Sequence, residues 1–159
     1  MRNDIQLPWE QERIIRHSQI LVKSFQYWTG TSLLDFSGSP IEVAQALFEM
    51  PFPVLSHGTE SDPIYNYGNR KALEFWEMTW EQFTQMPSRY SAEPMEREER
   101  SRLLNKVTTK GYLHDYQGVR ISRTGKRYMI SEVTVWNLLD EDNEYCGQAA
   151  TFSQWTRIN

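Results

Sequence analysis

Near its C-terminal end the chain carries three strand-like segments in a row with no helix between them: residues 112–122, 126–138 and 144–155. Thr124-Gly125 and Asp140-Glu141-Asp142-Asn143 separate them, and tight polar turns of this kind join antiparallel neighbours. The three segments therefore predict an antiparallel meander, which must bury one face to be stable. Candidates to cover that face lie just upstream. Asn69 can cap a helix carrying Ala72, Leu73, Phe75 and Trp76, and Thr79 with Gln82 forms a capping box for a second helix. A third helix has Pro94 in its first turn and ends at Lys110-Gly111. Two short strand candidates, 53–56 and 63–66, precede the helices and are joined by a turn-rich stretch from His57 to Pro63.

Residues 1–51 have a different rhythm and read as an N-terminal helical extension, with residues 52–159 as the core domain. Ile14, Leu21, Phe25 and Trp28 fall on one stripe of a helix over 9–28, flanked by Ile15 and Val22 and interrupted by Ser18. Thr29-Gly30-Thr31 stops it. Ser39, Pro40 and Glu42 then open a second helix with a complete capping box, and Met50-Pro51-Phe52-Pro53 ends it. The apolar stripe of the first helix has two candidate partners, the outer face of the sheet or a second copy of the chain. Dimerisation through this region is the expectation.

Within the meander, Tyr112, His114 and Tyr116 share a face in a regular strand, while Val119 and Ile121 fall on the other. A bulge near Gly118 would reconcile them. Parity along 126–138 is correspondingly open, with Tyr128 and Ile130 sharing a face. The small run Gly147-Gln148-Ala149-Ala150 predicts close packing of the last strand.

Composition excludes several classes of function. A chain of 159 residues with net charge −4 lacks the concentrated basic surface that nucleic acid requires. No apolar run reaches the roughly 18–20 residues of a membrane span, and residues 1–12 contain no apolar secretory core. Cys146 is the single cysteine, so no internal disulfide forms. The expectation is a cytoplasmic protein with no nucleic-acid or membrane partner.

Few residues form a chemical constellation. His57 stands beside Glu60 and Asp62 without the spacing of a metal site. His114-Asp115-Tyr116 looks like an acid–base group, but strand neighbours point to opposite faces and no nucleophile motif accompanies it. The run Glu96 to Arg102 reads as the solvated face of a helix with i,i+4 ion pairs. Neither catalytic nor metal-binding residues are assigned.

The stretches PVLSHGTESDPIYNYGNRKALEFWEMTWEQF, KGYLHDYQGVRISRTGKRYMISEVTVWNL and GQAATFSQW, taken in order and spacing, resemble the MEKHLA domain, a relative of the PAS domains. The resemblance spans residues 52–155. It implies an α+β, PAS-like fold: a five-stranded antiparallel sheet flanked by helices, here with the N-terminal helical extension. The same domain ends a class of plant homeodomain-leucine-zipper transcription factors, where it is regarded as a sensory, regulatory module. The 159 residues contain no homeodomain or zipper, so no DNA-binding role comes with the resemblance. Haem-binding PAS relatives place an axial His on the long helix, and residues 95–110 contain none. Flavin photoreceptors of that superfamily carry a reactive Cys before the long helix, where Met86 to Ala92 has none. Non-covalent flavin stays open, and the cofactor is unknown.

The resulting expectation is a sensory domain that binds a small molecule in an aromatic-lined pocket and signals through protein contacts. Ligand-binding candidates, taken from positions expected to face inward, are Tyr65, Trp76, Tyr90, Tyr112, Tyr116, Ile130, Trp136 and Gln148. The alternatives are a ligand-free interaction module, marked by a cavity too small for a ligand, and a cone-shaped α+β enzyme. The enzyme would need His114 to converge with Asp62 or Asp115 inside the fold.

Overall fold

A computed structural model describes residues 7–159. After a 3-10 turn at Pro8–Glu10, helix α1 runs from Glu12 to Thr29 and stops at Gly30, whose φ of 75° ends it in the left-handed conformation. Helix α2, Pro40–Phe48, opens on the expected capping box: the Ser39 amide donates to Glu42 Oε1 at 2.9 Å, and the Glu42 amide donates to Ser39 Oγ. Strands β1 (Val54–His57) and β2 (Tyr65–Gly68) follow, then helices α3 (Arg70–Trp76), α4 (Trp80–Phe83) and α5 (Pro94–Lys110), with a 3-10 turn at Ser88–Ser91 before α5. The meander is β3 (Tyr112–Ile121), β4 (Arg127–Leu139), β5 (Tyr145–Thr151) and β6 (Gln154–Ile158).

All pairings are antiparallel and the sheet runs β2-β1-β5-β4-β3. The last predicted strand, 144–155, is two strands. Phe152 leaves the ladder and buries its ring against Phe75 and Trp76, with centroids at 5.2 and 6.1 Å. Beyond it β6 resumes along the first half of β4, from Ser131↔Gln154 to Arg127↔Ile158. The sheet thus has five positions filled by six strands.

Helices cover both faces. Helices α1 and α2 pack on one face, where Ile14, Leu21, Leu47, Val54, Trp136 and Leu138 form a core. Helices α3 and α5 cover the other, where Ala72, Phe75 and Val107 meet Leu55, Ile130 and Val133. The stripe of α1 is therefore buried on the chain's own sheet. Two polar contacts seat it: Ser24 Oγ accepts the Leu139 amide at 2.8 Å, and the Trp28 indole donates to the Asn137 carbonyl at 2.9 Å. Gly111 makes room for that indole, since a Cβ there would sit 2.2 Å from the ring. Gly147 has the same role at the other end, where a Cβ would meet the His57 carbonyl oxygen at 2.2 Å. The expected tight packing of the last strand is thus a backbone-to-backbone contact.

The irregularity foreseen near Gly118 is present, and a second lies just before Tyr116. Between Leu113↔Val135 and Tyr116↔Val133, β3 carries an extra residue; between Tyr116↔Val133 and Gly118↔Ile130, β4 does. Asp115 (φ 59°) and Glu132 (φ 53°) adopt the left-handed conformation at these two points. Each bulge shifts its strand by one residue, so side chains on either side of it exchange faces.

One buried side chain ties three elements together. Asn69 Oδ1 accepts the Ala72 and Val54 amides, each at 3.0 Å. Its Nδ2 donates to the Leu47 and Phe52 carbonyls at 3.2 and 2.9 Å. It caps α3 as expected, and also holds the end of α2 and the start of β1. Asn69→Ala is expected to destabilise the fold by about 3–4 kcal/mol, since a lost cap is accompanied by unsatisfied buried groups. Thr79→Ala, which removes only the exposed α4 cap, is expected to cost about 1 kcal/mol. Equal losses in urea denaturation would contradict the three-way role.

Candidate functional site

Between α5, Trp76 of α3 and the inner face of β1, β3, β4 and β5 lies a cavity of about 50 Å³. Most of its wall is apolar: aliphatic side chains such as Leu55, Leu103, Ile130, Val133 and Val135 alternate with the rings of Tyr65, Trp76, Tyr116 and Phe152. That volume holds a few water molecules or a very small organic molecule. It is well below the roughly 300–1,000 Å³ of a pocket for a drug-sized ligand or a flavin.

Of the eight candidate residues, Tyr65, Trp76, Tyr116, Ile130 and Gln148 line this cavity, and Tyr90, Tyr112 and Trp136 do not. The bulges account for two of the three. Tyr112 precedes the Asp115 bulge, and its ring joins the core on the α1 side. Trp136 follows the Glu132 bulge, so Val133 and Val135 take the inner face and Trp136 turns to α1, edge-on to Phe25 at 4.9 Å. The two are cross-strand partners and change face together. Tyr90 sits on the 3-10 turn with its ring outward, between the Arg89 and Arg97 guanidinium groups at 4.3 and 5.0 Å. Tyr128 lies on the inner side but beyond the cavity, its ring 4.7 Å from Phe75.

Gln148 is held rather than free. Its Nε2 lies 3.0 Å from the Leu104 carbonyl, 3.1 Å from Thr108 Oγ1 and 3.1 Å from Asn137 Oδ1. Asn137 Nδ2 in turn donates to the Val107 carbonyl at 3.0 Å. The pair fastens the last turns of α5 to the middle of the sheet.

The two arginines of the cavity wall were not among the candidates. Arg100 and Arg120 are both buried and both line the cavity. Among the described residues neither forms an ion pair within 4 Å. Arg120 donates to the Val119 carbonyl at 2.7 Å and to the Tyr116 hydroxyl at 3.3 Å, and that hydroxyl donates to Glu99 at 2.8 Å. Burial holds Arg100 below the usual arginine range, with Tyr65 opposing the shift and the charge of Arg120 adding to it. The sequence did contain a signal for Arg100. It precedes Leu103 and Val107 by three and seven residues, the spacing of one helical face. The run Glu96 to Arg102 is thus a solvated face only in part; Glu98 and Arg102 make the expected i,i+4 pair at 2.9 Å.

The histidines divide by environment. His57 faces the cavity with Nδ1 on the Gly58 carbonyl at 3.1 Å, and its buried Nε2 has no hydrogen-bond partner. Burial lowers its pKa to about 4. His17 on α1 places Nε2 2.8 Å from Ser56 Oγ, and burial followed by the charge of Arg13 lowers its pKa to about 4 as well. His114 and Asp115 do meet, at 3.0 Å, because the bulge turns these neighbours to the same side. Both are largely exposed and outside the cavity wall. Asp62 is engaged by Arg89 at 3.1 Å. No His–Asp pair converges inside the fold among the described residues.

The family model for the MEKHLA domain matches residues 15–157. The chain belongs to the MEKHLA domain family. The match takes in most of α1 and all of α2 along with the sheet. Among solved structures, a PAS domain from Colwellia psychrerythraea superposes with TM-score 0.61 at 14% identity, covering 74% of this chain and 94% of that one. A light-oxygen-voltage domain, studied with a flavin analogue, gives 0.58 at 10% identity over 74% and 85%. A PAS domain from a two-component sensor histidine kinase gives 0.55 at 11% over 72% and 91%. At these identities the likeness establishes the fold, which is PAS-like. No functionally curated protein matches the chain. No helix among the described residues is long and apolar enough to cross a membrane.

The two buried histidines give this MEKHLA domain a defined pH response. Each has a folded pKa near 4 against 6.5 for an unperturbed His, so below 6.5 the unfolded chain takes up protons that the folded chain refuses. Their contribution is intact above about 6.5 and is lost as pH falls towards 4. Each is expected to lower the unfolding free energy by about 1.4 kcal/mol per pH unit within that window. In urea titrations at pH 4.5–7.5, His17→Gln should remove about half of that slope. An unchanged slope would mean that His17 titrates equally in both states.

Proposed function

We propose that this MEKHLA domain is a sensory module that reads a very small ligand in the cavity beneath α5 and passes the occupancy to α1 across the sheet. The observation that carries this reading is a pair of hydrogen-bonded links from the cavity wall to the far face. In one, Gln148 engages the Asn137 side chain, and the Asn137 carbonyl accepts the Trp28 indole. In the other, Ser56 donates to Asn66 at 2.5 Å and meets His17 of α1 at 2.8 Å. A ligand that pushed α5 or β1 would disturb α1 through contacts already in place. Such a shift requires different affinities for the two arrangements of the sheet and helices.

Native mass spectrometry of tag-free protein is the first test. The expected result is a small mass increment that disappears on denaturation, with slower amide exchange in α1 when the ligand is bound. A bare mass, with α1 exchange unchanged across a panel of small metabolites, would favour the ligand-free interaction module. The small cavity volume is the specific observation behind that second reading.

Pairing of two copies through the N-terminal helices is a separate proposal. The stripe of α1 already lies on its own sheet, so pairing would use the outer side of the helical layer, where Tyr27, Phe36 and Ile41 are exposed. Light scattering after size exclusion at micromolar concentration should give twice the chain mass, reduced by Tyr27→Glu. A single-chain mass at that concentration would rule the pairing out.

A further inference from the structure

The polar groups around the cavity do not balance. Arg100 and Arg120 bring two guanidinium groups into one largely apolar enclosure, and neither has an ion-pair partner among the described residues. Glu99 reaches Arg120 only indirectly, through the Tyr116 hydroxyl. On the same wall the Trp76 indole N–H is buried without an acceptor, and His57 Nε2 is buried without a partner. Burying an uncompensated charge is among the most costly arrangements available to a protein interior. Tyr65 meets Arg100, and the Val119 carbonyl and Tyr116 hydroxyl meet Arg120, so both guanidinium groups are hydrogen-bonded by neutral partners while neither is neutralised by a carboxylate in direct contact among the described residues.

We infer that the cavity takes a small organic carboxylate, its head group held by Arg100 and Arg120 and its short apolar part packed against Leu103, Ile130 and Val133. This rests on the ligand-binding reading above and names the ligand class. The planar fork of a guanidinium matches the two oxygens of a carboxylate, and the pair is strongest where water is excluded. The volume of about 50 Å³ limits the acid to a few heavy atoms unless the walls move. An inorganic phosphate or sulfate would match the two positive charges but bring nothing for the apolar wall. The carboxylate would also supply the counter-charge that links Arg100 on α5 to Arg120 on β3. Binding would thus tighten the helix against the sheet edge.

The test is thermal unfolding of the full chain with acetate, propionate and butyrate, alongside the corresponding primary amides and inorganic phosphate. At a hundredfold excess over Kd, a carboxylate of fitting length should raise Tm by about 5–10 °C. The amide should not. Arg100→Met and Arg120→Met should each lose at least tenfold in carboxylate affinity, with an unliganded Tm equal to or above wild type. Arg102→Met, which removes an exposed arginine from the same helix, should keep the response. Should the cavity variants fail to fold, titration of ¹³C-carboxyl-labelled acid into the wild type decides the matter through saturable broadening or shift.

Equal stabilisation by amide and acid, retained in Arg100→Met, would overturn the carboxylate assignment and leave the sensor reading standing. Stabilisation by phosphate alone would do the same. No response to any compound, together with a bare native mass, would remove both the carboxylate assignment and the ligand-binding reading.

Discussion

The four hydrogen bonds of Asn69 are the constraint on which the rest of the structure depends. A buried amide offers two donor hydrogens and an oxygen with two lone pairs, and here each finds a backbone partner. The end of α2, the entry to β1 and the first turn of α3 are thereby held at one point. That point fixes where the N-terminal helices meet the sheet and where α3 leaves it. The positions of Trp76 and of the cavity it closes follow from the direction of α3. A second polar knot performs the same task at the other end of α3. The Glu77 carboxylate accepts Ser122 Oγ at 2.7 Å, engages Lys126 at 3.1 Å and bonds Thr124, so the β3–β4 hairpin is pinned to the helix end. Those bonds, the one from Ser122 foremost, bring its pKa to about 2.

With the frame set, the two bulges decide the chemistry of the inner face. Without the one at Glu132, Trp136 would share a face with Ile130 and fill the space beneath α5. With it, Val133 and Val135 occupy that face and the tryptophan serves the α1 side. The bulge at Asp115 puts Leu113 and Tyr116 on the inner face, and Arg120 lines the cavity three pairs beyond Tyr116 along β3. The enclosure is therefore small, apolar and cationic, with aliphatic side chains beside the rings of Tyr65, Trp76, Tyr116 and Phe152. Such a site suits a compact charged molecule and refuses a flavin-sized one. A large cofactor would find its space taken by core side chains in close contact.

Stability and binding pull against each other in such a site. The aliphatic wall alone would make a good core, and removing the two arginines would relieve buried charge. Retaining them is a cost that packing does not offset and that the proposed carboxylate would. The tethering of α5 by Gln148 and Asn137 suits the same picture. The helix that bears Arg100 is anchored at its C-terminal end on the sheet, so a ligand at Arg100 acts on a helix fixed at one end.

Much of the architecture was legible in the residues themselves because it depends on local chemistry. The capping boxes at Ser39 and Thr79, the stop at Gly30 and the hairpin turn at Gly125 each follow from what one or two side chains do to their own backbone. The order of strands and helices follows from those signals in series, while the MEKHLA family rests on the resemblance of whole stretches within residues 52–155. The inward turn of Arg100 was also available from its spacing to Leu103 and Val107, though a run of charges masks it. The faces of β3 and β4 were not available. Asp115 and Glu132 are ordinary charged residues, and nothing local compels either into the left-handed conformation. Only the need to bury Leu113, Tyr116, Val133 and Val135 together against α5 selects that register. The sequence alone determined the order of the elements and all of them but β6, which the ladder break at Phe152 separates from β5. Which side chains share the cavity, and that its two arginines meet there without a counter-ion, was decided by the pairing of strands distant in the chain, because register is a property of the assembled sheet.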